Sequence, residues 1–471
     1  MNTPTGGGHF DLVVIGAGSG VGVLDERFDR LKVAIVDKGV GPLRKYAGTC
    51  LNVGCVPTKM LVHTADTARA ARHGAHLGVD LELRGVDWTA AMDRLNGHID
   101  PVSAWWLDGH EKRANVTVHY EGTARFAGER RLEVEIAEGT VELTADQVVV
   151  AAGSRPVVPP IPGLAEVGFR TSDDVRIMER LPRRMAVVGG GFVATELAHV
   201  FSSLGVEVTV VEMLDQLLAR EDAEIAQRFT ELAKQQWDVR LGRKMVSARR
   251  SDDGIVLNLE GPQGAEEAEV DEVLMAIGRR PNSDLVDAAA GGLATHPDGR
   301  IAVDEQQATS VPGVWALGDV SSKWMLKHVA NAEAQTVMHN VLHPDNLIAT
   351  DHRYVPHAVF SSPQIATVGL TEQEAKETGT PYVVGRTNYF DTAYGWAMED
   401  TTGFAKVLAD PATGKLLGAH IMGPQAPTLI QPLIQAMSLG QDARSVARGQ
   451  YWIHPGMPEV VQGALNNLPL D

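Results

Sequence analysis

Cysteine is nearly absent from this chain: two residues, Cys50 and Cys55, in 471. So small a number excludes a disulfide framework. No cysteine follows Cys55, so a second redox pair further along is excluded as well. Long apolar runs are also missing. None approaches the roughly 18 residues of a membrane span. Met1 to His9 lacks the basic stretch and apolar core of a secretory signal. We therefore expect a cytoplasmic protein, with no membrane contact, that opens on a flexible lead from Met1 to His9. Positive charge is in deficit: 42 Lys and Arg against 60 Asp and Glu, a formal net charge of −18. That balance excludes broad nucleic-acid binding and docking on anionic membranes. What remains, 44% apolar and 22% charged, is the composition of a soluble globular protein. A chain of this length is expected to form more than one domain.

The two cysteines lie in one stretch, Cys50-Leu51-Asn52-Val53-Gly54-Cys55-Val56-Pro57-Thr58-Lys59. Two unrelated buried thiols are one reading, because free cysteine is a common core residue. A redox pair is the other, and in a reducing cytosol a close pair is more often catalytic than structural. Five residues of regular helix rise about 7.5 Å, whereas a disulfide needs Cα atoms roughly 4.4–6.8 Å apart. The segment must therefore bend, and Gly54 permits it. Pro57 suits the first turn of a following helix, expected over Thr58 to Arg72. Cys55 then sits at a helix N-terminus, where the dipole favours a thiolate.

Two glycine turns follow buried strands. Phe10 to Gly22 places Gly16 and Gly18 at the first two positions of a dinucleotide fingerprint and predicts a helical stretch after them. Val21 occupies the third glycine position, flanked by Gly20 and Gly22. Asp37, 21 residues beyond Gly16, ends the next strand, where an acid would hold a ribose hydroxyl. Met185 to Ala194 repeats the pattern with Gly189, Gly191 and Ala194, and Glu212 ends its second strand. Val86 to Lys112 reads as a helix whose Trp105 and Trp106 are expected in core or interface packing. The basic link Val40 to Tyr46 reads as a surface loop.

These segments resemble the flavin-dependent disulfide reductases, the pyridine nucleotide-disulfide oxidoreductase family, from Phe10 to about Leu468. The resemblance implies an α/β fold with two Rossmann-like dinucleotide-binding domains, for FAD and NAD, and a C-terminal α+β dimerisation domain. The FAD-binding part spans residues 1–155 and resumes at 281–349, the NAD(P)H-binding domain spans 156–280, and the dimerisation domain 350–471. By the same resemblance Gly16, Gly18, Asp37, Gly48, Thr49, Lys59, Gly153 and Asp319 contact FAD, while Gly189, Gly191 and Glu212 contact the nicotinamide cofactor. Gly278, in the return crossing, is a cofactor contact by the same resemblance. Lys59 pairs with Glu196 beside the flavin. Electrons pass from NAD(P)H through FAD to the Cys50–Cys55 pair, with Cys55 next to the flavin and Cys50 attacking the substrate disulfide. His454, oriented by Glu459, is the acid–base group and comes from the partner subunit, so a homodimer with shared sites is expected. A cis peptide before Pro455 is expected too. No metal is.

Among the subfamilies the similarity is greatest to mycothione reductases, on Asp351 to Pro356, Ala393 to Asp400 and Ala447 to Pro455. The expected substrate is thus a low-molecular-weight disulfide, mycothione. Lipoamide dehydrogenase is the alternative, or a flavoprotein serving chiefly as a binding subunit of a complex. Lipoamide enzymes usually carry a second histidine two residues before the catalytic one, where this chain has Trp452. NADP-using relatives tend to carry basic residues at the position of Glu212. A 2′-phosphate beside this carboxylate would bring like charges together, so NADH is expected over NADPH, though NADPH is not excluded.

Overall fold

The computed structural model describes residues 7–470; Met1 to Gly6 of the expected lead lie outside them. Gly8 and His9 do not belong to a loose lead. They begin the strand Gly8–Ile15, which pairs in parallel with Val33–Asp37 on one side and Gly139–Val150 on the other. Leu12, Val13 and Val14 are fully buried there, as a strand covered on both faces requires. Val116–Tyr120 extends the parallel sheet beyond Val33–Asp37. Val314–Ala316 pairs in parallel with Gly139–Val150, so a late segment completes the sheet built by the first 150 residues.

A second parallel sheet contains Arg184–Val188, Glu207–Val211, Asp238–Arg240, Glu272–Met275 and the short Arg170–Thr171. Beside it lies a three-stranded antiparallel sheet, Lys244–Ser251, Gly254–Gly261 and Gly264–Val270, which the periodicity reading did not resolve. The chain leaves the first sheet through Ser154–Pro156 and returns through Arg279–Pro281, and these two crossings pair antiparallel. The C-terminal part is a five-stranded antiparallel sheet with helices Gln431–Ser438 and Glu459–Asn466 packed into its core.

The two parallel units differ where they were expected to match. After Gly189 and Gly191 comes the α-helix Phe192–Ser203, 12 residues long. After Gly16 and Gly18 comes only a 3-10 turn, Gly20–Val23, then another, Glu26–Phe28. The helix expected there is not formed. Val21 is buried in the core beside Ala17, and Gly20 fills the close-packing position. A Cβ on Gly20 would stand 2.6 Å from the Ala151 Cβ.

No helix among the described residues is long and apolar enough to cross a membrane.

Candidate active site

The cysteine stretch forms two helical pieces, Gly48–Asn52 and Cys55–His73, broken at Val53 and Gly54. The amides of Val53 and Gly54 both donate to the Thr49 carbonyl, at 2.9 and 2.7 Å, which folds the segment back and ends the first piece. The second helix starts at Cys55, three residues before the expected Thr58, with Pro57 in its first turn. Both thiols are free. Cys50 donates to Cys55, and this hydrogen bond is the largest cause of a Cys55 pKa lowered to about 7; the Lys59 ammonium adds to it, against the opposing effect of burial. The same bond, with burial, pushes the Cys50 thiol up. The environment thus favours the thiolate on Cys55 over Cys50.

The next turn of this helix carries Lys59, whose Nζ lies 2.5 Å from Glu196 Oε2. Glu196 is buried on the helix that follows the second glycine turn. Its other oxygen accepts the Phe360 amide at 2.9 Å, and the Phe360 ring lies 4.4 Å from the lysine ammonium. Asp66 and His199, at 2.8 Å, tie the same two helices a little further along. Burial of the carboxylate is tolerable because both oxygens are satisfied.

One cavity of about 3270 Å³ joins these groups to both glycine turns. That is several times the roughly 300–1,000 Å³ of a single small-molecule site. Gly16, Gly18, Asp37, Gly48, Thr49, Cys50, Cys55, Lys59, Gly153, Glu196, Asp319, Gly189, Gly191, Glu212 and Gly278 all line it. In both turns the first glycine is dictated by backbone. Gly16 has φ +103° and a Cβ there would meet the Ala151 carbonyl oxygen at 2.3 Å; Gly189 has φ +121° and would meet that of Ala276 at 2.4 Å. Asp37 is less free for a ribose than its position suggests. Its oxygens already accept the Ala17 amide at 2.5 Å and the Gly39 amide at 2.8 Å, and burial raises its pKa. Glu212 accepts the Leu214 amide at 2.8 Å and keeps its other oxygen against Gly190. Asp319 accepts from Ser154 Oγ at 2.6 Å, which in turn accepts from Arg279 Nε at 2.8 Å, binding the two crossings to the late strand.

His454 and Glu459 meet at 2.8 Å, Nδ1 to Oε1, and this hydrogen bond holds the Glu459 carboxyl below its ordinary range. The peptide before Pro455 is cis, as expected; that before Pro363 is cis too, which the sequence reading did not anticipate. Neither dyad residue lines the cavity of its own chain, and the His454 side chain is 70% exposed.

Several groups escaped the sequence reading. Arg176, buried far from the motif in sequence, donates to the Asn52 carbonyl at 3.1 Å and pairs with Asp100 at 2.8 Å, fixing the bend that presents Cys50. Phe360 gave no signal either. Nor did Lys327, which follows the Asp319 turn and heads the helix Lys327–Leu342. Trp105 and Trp106, expected in core or interface packing, are not in the core of the chain. They are 64% and 40% exposed, and Trp106 lines the cavity. The Val40–Tyr46 link is a small hairpin turn closed by Val40 and Lys45; Tyr46 is buried against His110, while Leu43 and Arg44 are exposed. Among the described residues, no group of three or more His, Cys, Asp or Glu is arranged to hold a metal.

A free cysteine pair, a lysine–glutamate ion pair and two glycine turns thus surround one trough. The model of the pyridine nucleotide-disulphide oxidoreductases matches residues 10–334, and that of their dimerisation domain residues 355–465. A mycothione reductase of Mycobacterium tuberculosis is 47% identical over 98% of this chain and 99% of its own. A dihydrolipoyl dehydrogenase of Haloferax volcanii is 34% identical over 97% and 96%. The HOCl-induced flavoprotein disulfide reductase RclA from Escherichia coli, solved as a Cu(II) complex, superposes with a TM-score of 0.85 at 25% identity over 99% of both chains. The chain belongs to the pyridine nucleotide-disulphide oxidoreductase family, as a flavoprotein disulfide reductase that uses FAD and NAD(P)H and carries the family's dimerisation domain.

Proposed function

We propose that this enzyme reduces mycothione, a low-molecular-weight disulfide, with NADH as the preferred donor, in the cytoplasm and as a homodimer with shared active sites. The observation that carries the substrate is the end-to-end identity of 47% with a mycothione reductase, against 34% with a dihydrolipoyl dehydrogenase. Trp452, where lipoamide enzymes usually have histidine, favours the same reading. The FAD part comprises residues 1–155 and 281–349, the nicotinamide part 156–280 and the dimer part 350–471.

When bound, FAD relays two electrons from the reduced nicotinamide to the cysteine pair. Lys59 and Glu196 hold the wall against which Cys55 keeps its thiolate. Cys50, whose proton is retained by its bond to Cys55, needs a base, and His454 of the partner subunit supplies it, with Glu459 orienting the ring. The Cys50 thiolate then forms a mixed disulfide with one substrate sulfur as the substrate S–S bond breaks. His454 returns its proton to the departing thiolate. The Cys55 thiolate attacks the Cys50 sulfur, re-forming the Cys50–Cys55 disulfide and releasing the second thiol. The balance is one NADH, one solvent proton and one disulfide to NAD+ and two thiols. Glu212 supports NADH by its carboxylate at the end of the second strand, although Arg220 and Lys244 line the same cavity.

Steady-state kcat/KM for mycothione, lipoamide and glutathione disulfide, on the free dimer, tests the substrate. Mycothione should lead; a lead by lipoamide, or activity only within a larger complex, would replace the reading. Sharing is tested by mixing His454→Ala and Cys50→Ser homodimers under subunit exchange. Partial recovery of turnover is expected, and none, with exchange demonstrated, would place the dyad in its own chain's site.

A further inference from the structure

The first glycine turn lacks the feature that ordinarily makes such a turn an anion site. A pyrophosphate on a dinucleotide fingerprint lies at the N-terminus of an α-helix, held by free amides and the positive end of the dipole. Here the turn runs into Gly20–Val23, four residues of 3-10 turn, whose Gly22 and Leu24 amides are already given to the Ser19 and Val21 carbonyls. So short a piece has almost no dipole to offer.

A cation stands in that place. Lys327, 308 residues further along, reaches back into the trough and donates from Nζ to Ser19 Oγ at 2.8 Å, inside the Gly18-Ser19-Gly20 loop. It is half-buried, and among the described residues no carboxylate forms an ion pair with it. An ammonium withdrawn from water without a counter-ion is unfavourable, so burial lowers its pKa. Against that burial, the cysteine pair favours its charged form. Cys55, however, already has its own donor in Cys50 and its own cation in Lys59.

We propose that Lys327 is the counter-ion of the FAD pyrophosphate, replacing by a side chain the helix N-terminus that the first glycine turn does not form. The inference rests on the FAD reading of this trough. Its elements come from opposite ends of the FAD-binding part: the loop from Gly16–Ser19 and the charge from the helix after the Asp319 turn. The second glycine turn, which has its 12-residue helix, needs no such lysine. The ligand chemistry is a diphosphate diester, and the isoalloxazine and ribityl groups are not involved.

The test uses the full-length parent, Lys327→Met and Lys327→Arg. FAD affinity is read from the flavin fluorescence released on diluting the holoenzyme, and riboflavin, which has no pyrophosphate, is titrated into the deflavinated full-length chain. Lys327→Met should weaken FAD by about 100-fold, the scale of one lost charge-assisted hydrogen bond. Lys327→Arg should stay within about tenfold of the parent, and riboflavin should bind all three alike. FAD-free Lys327→Met should melt no lower than the FAD-free parent, because the variant loses an unpaired buried charge. Unchanged FAD affinity would overturn the proposal. Equal losses for FAD and riboflavin would overturn it too, by moving the lysine's role to the ring side. A lower melting point of the FAD-free variant would make Lys327 a structural residue instead. Failure of the parent itself to bind FAD would instead remove the FAD reading on which the proposal stands.

Discussion

The two dinucleotide units of this chain share a backbone device and differ in almost everything built on it. In each, the first glycine turns under the carbonyl at the end of a neighbouring strand, Ala151 for Gly16 and Ala276 for Gly189. Beyond that point the first unit is closed and internally bonded. Its acid, Asp37, is buried and given to two backbone amides, and its crossover to the next strand contains only 3-10 turns. The second unit is open. Its acid, Glu212, is half-buried beside the exposed Met213 and Leu214, and its turn has a full helix. A closed cradle suits a cofactor that stays, and an open one suits a cofactor that must leave each cycle. The fingerprint thus fixes the glycine turn, while the burial of the acid that follows it differs between the two units.

The largest expected effect lies where both units converge. Cys50→Ser should cut disulfide turnover by at least about a thousandfold, while NADH still reduces the bound flavin. Stopped-flow flavin bleaching beside steady-state disulfide assays separates the two, and full turnover by the variant would remove Cys50 from the reaction. Next come the paired glycine changes. Gly16→Ala and Gly189→Ala each force a Cβ into a carbonyl oxygen at positive φ, with strain of at least about 1–3 kcal/mol. Gly16→Ala should lose FAD and thermal stability together. Gly189→Ala should keep its flavin and raise KM for NADH by about 10–100-fold. Similar losses of flavin in both would erase the contrast between closed and open cradles.

Glu212→Ala should have a smaller effect. Two unit charges about 4 Å apart repel by roughly 4 kcal/mol at an effective dielectric near 20, less where solvent enters. The parent should therefore prefer NADH by about a hundredfold in kcat/KM, or about 2.7 kcal/mol, and the variant by at most about tenfold. A parent that uses NADPH equally well would show that Glu212 faces solvent instead. The smallest effect is a shift in titration. In the two-electron-reduced enzyme the Cys55 thiolate, formed below its ordinary range, should persist down to about pH 7 and disappear as pH falls through that value. Long-wavelength absorbance against the oxidised flavin follows it. Lys59→Met removes a cation that favours the thiolate, so the midpoint should rise; an unmoved midpoint would leave the Cys50 hydrogen bond as the sole cause.

Much of the site was legible because its parts are local. The cysteine bend at Gly54, the helix start near Pro57 and both glycine turns each span fewer than ten residues, so short-range sterics and capping set them, whereas the cis peptide at Pro455 and the His454–Glu459 contact were reached by resemblance. The Lys59–Glu196 pair was reached by resemblance too, and 137 residues separate its members. What the local pattern misjudged is equally physical. Gly16-x-Gly18 promised a helix, but Val21 is drawn into the core beside Ala17, and the turn closes after four residues. Trp105 and Trp106 are left out of the core, with Trp106 lining the cavity, because burial is set by the segments that pack on their helix. Arg176 under the cysteine bend, Phe360 against Glu196 and Lys327 at Ser19 had no local signature. Each reaches its partner only through tertiary packing, across 124, 164 and 308 residues of sequence respectively. The sequence by itself determined the bend between the two cysteines and the two glycine turns, because those depend on neighbours along the chain. Which charges surround them, and which cradle is closed, only the tertiary structure decided, because burial and ion pairing are made between segments hundreds of residues apart.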